Sequence, residues 1–289
     1  MHITTDIVTA RDILRHWRQQ GEAIAFVPTM GNLHAGHMAL VDRARRHGRR
    51  VVVSIFVNPL QFSQGEDFAS YPRTLADDQS GLSHNSVDLL FAPTAGEMYP
   101  GGHELATQVT VPGLSDILCG AFRPGHFTGV ATVVCKLFNI IQPQIALFGE
   151  KDYQQLVVIR RMVQDLAMPV EIIGAPTVRE PDGLAMSSRN GYLSIEERRL
   201  APHIYQYLLD ARAAILAKSS DYAAISQEKM ANLRAKGFNP DYFEIRRSAD
   251  LGLAAPADKE LIVLIAARLG RTRLIDNLKV SLGKEPAFT

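Results

Sequence analysis

Along the first 175 or so residues, short apolar runs alternate with stretches whose apolar positions recur at helical spacing. AIAFVPT (23–29), VVVSIFVN (51–58), VDLLFAP (87–93), QIALFGE (144–150) and VEIIGAP (170–176) read as strands. Residues 34–47, 72–82, 128–142 and 154–166 carry the helical period, and the polar N-terminus leads into another helix. The strand runs are almost continuously apolar rather than alternating, as strands covered on both faces must be. Strands that alternate with helices in this way predict an α/β fold, a doubly wound parallel sheet of Rossmann-like type.

Near residue 177 the texture changes. TVREPDGLAMSSRNGYLS is a long polar stretch with two glycines, the composition of a loop that carries function. One charged helix is predicted over 194–218 and another over 223–236. DYFEIRRSADL, ELIVLIAARLG and TRLIDNLKVSL then read as three strands separated by turn signals. The expected organisation is a domain over residues 1–176 and a smaller α+β domain with a mostly antiparallel sheet over 177–289.

Composition narrows the functional classes. Two domains suit a chain of 289 residues, and 31 basic against 30 acidic residues leave a formal charge of +1. That balance gives no electrostatic reason to invoke nucleic acid. Cys119 and Cys135 form no CxxC pair and read as small, free thiols. The N-terminus lacks the apolar core of a signal peptide, and no run reaches the roughly 18 apolar residues of a membrane span. A cytoplasmic protein without a membrane partner is therefore expected.

Ligands of open α/β sheets gather beyond the carboxyl ends of the strands. Four polar loops fall there: PTMGNLHAGH (28–37), NPLQF (58–62), FGEKDYQQ (148–155) and TVREPDGLAMSSRN (177–190). In the first, Gly31 allows a tight turn, and the helix beginning near His34 offers unsatisfied N–H groups and a positive dipole end to a phosphate. His34 and His37 lie three residues apart, on one face of that first turn. A surface or capping role is the plain alternative for either one, and zinc would require a third ligand from elsewhere. In the third loop, Lys151 could reach a phosphate and Asp152 a ribose hydroxyl, with Gln155 one helical turn beyond Lys151; a solvated helix start fits the same residues. MSSRN suits a triphosphate through hydroxyls, backbone donors and a guanidinium, or else is a linker with a helix cap.

HAGH followed far downstream by MSSR resembles the HIGH and KMSKS pair of the nucleotidyltransferase superfamily. VPTMGNLHAGHMALV, SIFVNPLQF, YPRTLADD, RPGHFTGVATVVCKLFNIIQP, FGEKDYQQL and AMSSRN, in that order, resemble the pantothenate synthetases (pantoate–β-alanine ligases) from about residue 20 to 192. YFEIR and RLIDN extend the likeness more loosely towards the C-terminus. The resemblance implies a HIGH-type fold whose C-terminal domain closes over the ATP site. It implies condensation of (R)-pantoate with β-alanine, driven by ATP with Mg²⁺, through a pantoyl adenylate, releasing AMP and pyrophosphate. A homodimer is the family's habit.

The resemblance also implies residue roles. Pro28, Thr29, Met30, Gly31, His34 and His37 would line the ATP site, with both histidines on phosphates and His37 in the general-acid role. Gly149, Lys151, Asp152 and Val178 would hold the adenosine, Lys151 also reaching the phosphates. Met186, Ser187, Ser188 and Arg189 would close over the triphosphate, which makes His34, His37, Lys151 and Arg189 the implied catalytic set. Gln61 and Gln155 would hold pantoate beside Met30 and Asn58, with Gln61 also near β-alanine. Asp77 is the implied magnesium-side carboxylate, and Arg123 and His126 would lie close to the cleft. Leu60 stands where the family commonly has Met, a change of shape more than of chemistry.

The physics agrees with this chemistry. A carboxylate attacking the α-phosphorus builds negative charge that placed cations and N–H donors stabilise, and no protein nucleophile is needed. The alternatives are another HxGH nucleotidyltransferase, whose product keeps the nucleotide, or a nucleotide-binding sensor. The paired glutamines argue against the first and the intact His34, His37, Lys151 and Arg189 against the second. A tRNA-charging synthetase fits poorly, because MSSR lacks the two lysines of KMSKS.

Overall fold

The computed structural model describes residues 1–63, 65–217 and 220–283. Packing divides the chain into two compact units, Met1–Glu150 with Gln154–Thr177 and Lys151–Tyr153 with the chain from Val178 onward.

The first unit runs β1 (His2–Thr4), α1 (Ile7–Gln19), β2 (Ile24–Thr29), α2 (Ala35–His47), β3 (Arg50–Ile55), α3 (Leu75–His84) and β4 (Leu89–Phe91). It continues through α4 (Ala95–Met98), α5 (Cys119–Phe122), α6 (His126–Ile141), β5 (Ile145–Gly149), α7 (Tyr153–Asp165) and β6 (Glu171–Ala175). All six strands are parallel, in the order β1-β4-β3-β2-β5-β6. The chain winds from β2 out to β4 and then crosses back to place β5 on the other side of β2. The point where the winding reverses therefore lies between β2 and β5, where doubly wound sheets bind their ligands.

The central predicted strands form because their side chains leave water on both faces. Ile24, Ala25, Phe26 and Val27 of β2 and Val51, Val52 and Val53 of β3 are all buried. β1 is an addition that periodicity did not announce. It has three residues, begins with His2 N–H donating to Asp88 O at 2.7 Å, and exists by pairing along β4. α1 follows where expected: Asp6 caps it by accepting from Thr9 N–H at 2.7 Å, and Ala10, Leu14 and Trp17 turn inward. α6 is buried on most of its surface. A Cβ built on its Gly129 would overlap the Leu60 carbonyl, so this helix lies directly on the Pro59–Gln61 turn.

The second unit contains α8 (Ile195–Leu200), α9 (His203–Leu216), α10 (Tyr222–Ala235), β7 (Asn239–Arg247), β8 (Glu260–Leu269) and β9 (Thr272–Ser281). The single helix predicted over 194–218 is two, because Pro202 has no N–H to continue the ladder and α9 starts just after it. The last residue of that prediction, Lys218, and residues 284–289 of the predicted second domain lie outside the described residues. The three strands pair antiparallel in the order β7-β8-β9. β8 is central and buried almost throughout, which accounts for the apolar run ELIVLIAARL. Its core joins Ile204, Leu208 and Ala211 of α9 to Val263, Ile265, Leu274 and Val280 of the sheet. Among the described residues no helix is long and apolar enough to cross a membrane.

Candidate active site

The loop after β2 is built from the strand outward. Thr29 Oγ1 donates to Ser54 O at 2.7 Å and accepts from Gly31 N–H at 3.2 Å, which turns the chain sharply off the strand. Gly31 has φ +82°, and a Cβ there would crowd Ile55 Cγ2 at 3.0 Å and Asp78 Oδ2 at 3.1 Å, so any other residue would be strained. Asn32 next adopts φ 49°, the left-handed region that asparagine tolerates. The carboxylate of Asp78 locks this turn. It accepts from Asn32 N–H at 2.9 Å and Leu33 N–H at 2.8 Å, and Thr74 Oγ1 donates to it at 3.3 Å.

Of the two adjacent acidic residues that open α3, Asp78 is only 4% exposed and holds the loop. Asp77 is exposed one helical position away. Sequence reasoning singled out Asp77 and missed Asp78. The apolar phase of α3, in which Leu82 is buried four residues after Asp78, is the signal that could have found it.

His34 and His37 form the N-terminus of α2 together. His34 is the cap and its Nδ1 accepts from Gly36 N–H at 3.1 Å, while His37 Nδ1 accepts from His34 N–H at 3.2 Å. The rings are tilted by 49° with centroids 4.1 Å apart. With Nδ1 accepting in both rings, each neutral imidazole carries its proton on Nε2. Capping therefore occupies Nδ1 of each ring and leaves the Nε2 side out of the cap. Among the described residues no group of three or more His, Cys, Asp or Glu side chains is placed to hold a metal ion.

Beyond β3, the Pro59–Gln61 turn rests on a buried polar network that starts from backbone groups. Asn58, 1% exposed, donates through Nδ2 to Gly129 O at 3.1 Å, and its Oδ1 accepts from Leu60 N–H at 3.4 Å and from Tyr99 OH at 2.8 Å. That orientation leaves Nδ2 to donate to Gln61 Oε1 at 3.3 Å, so Gln61 turns its Nε2 towards Met30 Sδ, 2.7 Å away. The amide of Gln61 thus gives one N–H to Met30, which ties it to the histidine loop, and retains a second. Burial pushes the Tyr99 hydroxyl up to about 12. Asn58, expected among the substrate contacts, is buried beneath Gln61 and sets its orientation.

Arg123 and His126 meet the same turn from below. Arg123 makes a two-point pair with Glu66, at 2.6 and 2.7 Å, and reaches His126 Nε2 at 3.0 Å. His126 Nδ1 lies 2.7 Å from Gln61 O. Because Nε2 faces a guanidinium, Nδ1 bears the proton and donates to that carbonyl. Burial works to raise the Glu66 carboxyl, but Arg123 outweighs it and holds the group below its ordinary value. Glu66 gave no sign in the sequence.

At the end of β5, Gly149 and Glu150 are half-buried, and the chain enters a tight turn over Glu150–Asp152. Gln154 is buried and structural: it accepts from Cys119 N–H at 3.0 Å and donates to Leu114 O and Ile117 O at 2.9 and 2.7 Å. Gln155, the expected pantoate contact, is half-buried at the next position of α7.

Lys151 and Asp152 belong to the second unit, with Val178 and residues 186–189. The long loop predicted there is ordered as a hairpin. Met186 N–H donates to Val178 O at 3.0 Å, Glu180 N–H to Leu184 O at 2.8 Å, and Arg179 bridges Ala185. Ser187 then caps the Ser188–Tyr192 turn by accepting from Arg189 N–H at 3.2 Å, and Asn190 Nδ2 returns to Ala185 O at 3.1 Å. Ser187, Ser188 and Arg189 are thereby held on one short turn.

A doubly wound sheet with HxGH on its switch-point loop defines an α/β enzyme of the HIGH nucleotidyltransferase type. Residues 2–279 match the family described as Pantoate-beta-alanine ligase, and the chain belongs to that family. It is 60% identical over 265 residues to the pantothenate synthetase of Azotobacter vinelandii, covering 92% of this chain and 94% of that protein. The Pseudomonas fluorescens pantothenate synthetase is 55% identical over 282 residues, 98% of this chain and all of the other. Among solved structures, pantothenate synthetase from Thermus thermophilus superposes with a TM-score of 0.90 at 50% identity, covering 96% and 99% of the two chains. The pantoate-beta-alanine ligase of Francisella tularensis, solved with beta-gamma ATP and beta-alanine, has a TM-score of 0.82 at 34% identity and covers 99% and 100%.

Proposed function

We propose that the chain condenses (R)-pantoate with β-alanine at the expense of ATP. A pantoate carboxylate oxygen attacks the α-phosphorus, the bond to the bridging oxygen breaks and pyrophosphate leaves. The amine of β-alanine then attacks the acyl carbon, AMP departs, and the nitrogen loses a proton to solvent. The observation that carries this reading is the join between Met30 and Gln61. It fixes the Gln61 amide, whose second N–H suits an acid's oxygen, against the loop whose histidines would donate to phosphate. The F. tularensis relative bound to beta-gamma ATP and beta-alanine supports the same pair of ligands here.

In this reading the Nε2–H groups of His34 and His37 donate to the phosphates, with Pro28, Thr29 and Gly31 shaping the turn. Gly149, Asp152 and Val178 hold the adenosine, and Lys151, Met186, Ser187, Ser188 and Arg189 serve the triphosphate. Gln61 and Gln155 hold pantoate. Asp77, exposed in the first turn of α3, suits a magnesium ion that takes most of its ligands from phosphate and water. When bound, that ion neutralises charge on the leaving pyrophosphate. A cytoplasmic homodimer is the assembly and location we infer from family membership, and light scattering in solution tests the first.

Pyrophosphate release tests the function directly. Release that requires pantoate, with AMP and pantothenate appearing only when β-alanine is added, is the expected result; a nucleotide retained on the product overturns it. Gln61→Ala is expected to raise the pantoate KM by roughly 10- to 100-fold, because the lost donor faces a charged ligand. The ATP KM should stay within about threefold. The opposite order in steady-state kinetics would mean that the two subsites are exchanged.

A further inference from the structure

RLIDN, residues 273–277, is the motif to which the chemistry above gives no part. Along β9, Leu274 and Val280 are buried in the core formed with α9 and α10. Successive residues of a strand point to opposite faces, so Asp276 shares that core face and Asn277 lies on the other. Both are buried, at 3% and 6% exposure, which breaks the alternation expected of an edge strand.

Each of the two grips a different segment. On the core face, the Asp276 carboxylate receives both terminal nitrogens of Arg179, at 2.6 and 3.0 Å. The Arg179 guanidinium lies 3.7 Å over the Tyr205 ring of α9 and donates to Gly183 O at 3.0 Å. Arg179 is thus the anchor of the hairpin that ends at Met186 and leads into Ser187, Ser188 and Arg189. On the opposite face, Asn277 Nδ2 donates to the backbone carbonyl of Lys151 at 2.9 Å. That segment is held further along by Tyr153, whose hydroxyl donates to Ser248 O at 2.9 Å and whose ring lies 5.3 Å from Lys279 Nζ. The backbone N–H of Asn277 also donates to Asp276 Oδ1 at 2.8 Å, which fixes the Asp276 carboxylate against the strand at Asn277. A buried two-point ion pair of this kind adds little net stability but fixes geometry closely.

We infer that Asp276 and Asn277 are positioning residues for the ATP-dependent step: they hold the Lys151 backbone and the turn bearing Ser187, Ser188 and Arg189 in a single frame. The inference rests on reading those four residues as ATP contacts. It separates the half-reactions, because the triphosphate is present only while the adenylate forms. The phosphates that Lys151, Ser187, Ser188 and Arg189 would hold have left before β-alanine attacks, so that step depends on the frame only through the adenosine that Asp152 and Val178 would keep in place.

The test uses the full chain with Asn277→Ala, assayed in two ways. One assay follows pantoate-dependent pyrophosphate release from ATP, and the other follows β-alanine consuming separately supplied pantoyl adenylate. Loss of one buried hydrogen bond is expected to lower kcat/KM for ATP by roughly five- to tenfold. The pantoate KM and the second half-reaction should stay within about twofold. Asn277→Asp, nearly the same shape without the donor, should behave like the alanine variant. Asp276→Asn should show the same selectivity, and if it fails to fold, Arg179→Lys removes the two-point pair while keeping the charge. An unchanged kcat/KM for ATP overturns the inference, as does an equal fall in both half-reactions with a lowered melting temperature. Failure of the unsubstituted chain to release pyrophosphate with pantoate is a different result. It overturns the ligase reading itself, and this inference with it.

Discussion

Replacing His37 by alanine is expected to slow pantoyl-adenylate formation by about 10²–10³-fold, the usual cost of removing an oriented donor from developing charge. The fold should survive. At the start of α2 the ring accepts from His34 N–H through Nδ1, and losing such a cap costs about 1 kcal/mol. That same bond bears on the mechanism. Because Nδ1 accepts it, the ring offers Nε2–H as a hydrogen-bond donor, and adding a second proton would break the cap. Stabilising pyrophosphate charge by donation is therefore favoured over delivering a proton to it. His37→Gln should recover part of the stability, through its acceptor oxygen, without recovering the rate. Pyrophosphate release together with thermal unfolding distinguishes these effects, and a near-normal rate for His37→Ala would remove the residue from the chemistry.

The neighbouring carboxylates of α3 should give opposite signatures. Asp78→Ala leaves the N–H groups of Asn32 and Leu33 without their acceptor, in a turn already bent through left-handed φ at Gly31 and Asn32. A loss of about 2–4 kcal/mol in denaturant unfolding is expected, with a raised ATP KM because the histidines lose their platform. Asp77→Ala, at an exposed position, should change stability by no more than about 0.5 kcal/mol. Its effect should appear in the magnesium dependence of the rate. If both variants destabilise equally, Asp78 is not the clamp that its geometry indicates.

The hydrophobic pattern carried the strands of the doubly wound sheet because burial on both faces leaves an unbroken apolar run. β1 escaped it: three residues with one buried side chain have no period, and their strand is created by the partner β4. The division between α8 and α9 was written in Pro202 but masked by helix-forming residues on either side. At the site, loops named themselves through rare residue types such as paired histidines, Gly31 and MSSRN. The residues that hold those loops did not. Asp78 is distinguishable from Asp77 only through the phase of a helix, and Glu66 only through the approach of Arg123. Gln154 and Gln155 look interchangeable on paper, and only the carbonyls of Leu114 and Ile117 make the first structural. Asp276 and Asn277 came closest to being legible, as two polar residues in succession inside a strand.

The network beneath Gln61 has a consequence for proton traffic. With Tyr99 raised to about 12, the hydroxyl keeps its proton and its direction through the whole alkaline range in which the reaction can be followed. Asn58, the Gly129 carbonyl and the Gln61 amide do not titrate at all. Beneath the proposed pantoate subsite, raising the pH over that range therefore adds no charge to Asn58, Tyr99, the Gly129 carbonyl or the Gln61 amide. β-Alanine, by contrast, must shed a proton from a primary amine, whose ordinary value is near that of lysine at about 10. A turnover that climbs with alkalinity would thus record the nucleophile arming itself above an unchanging cradle.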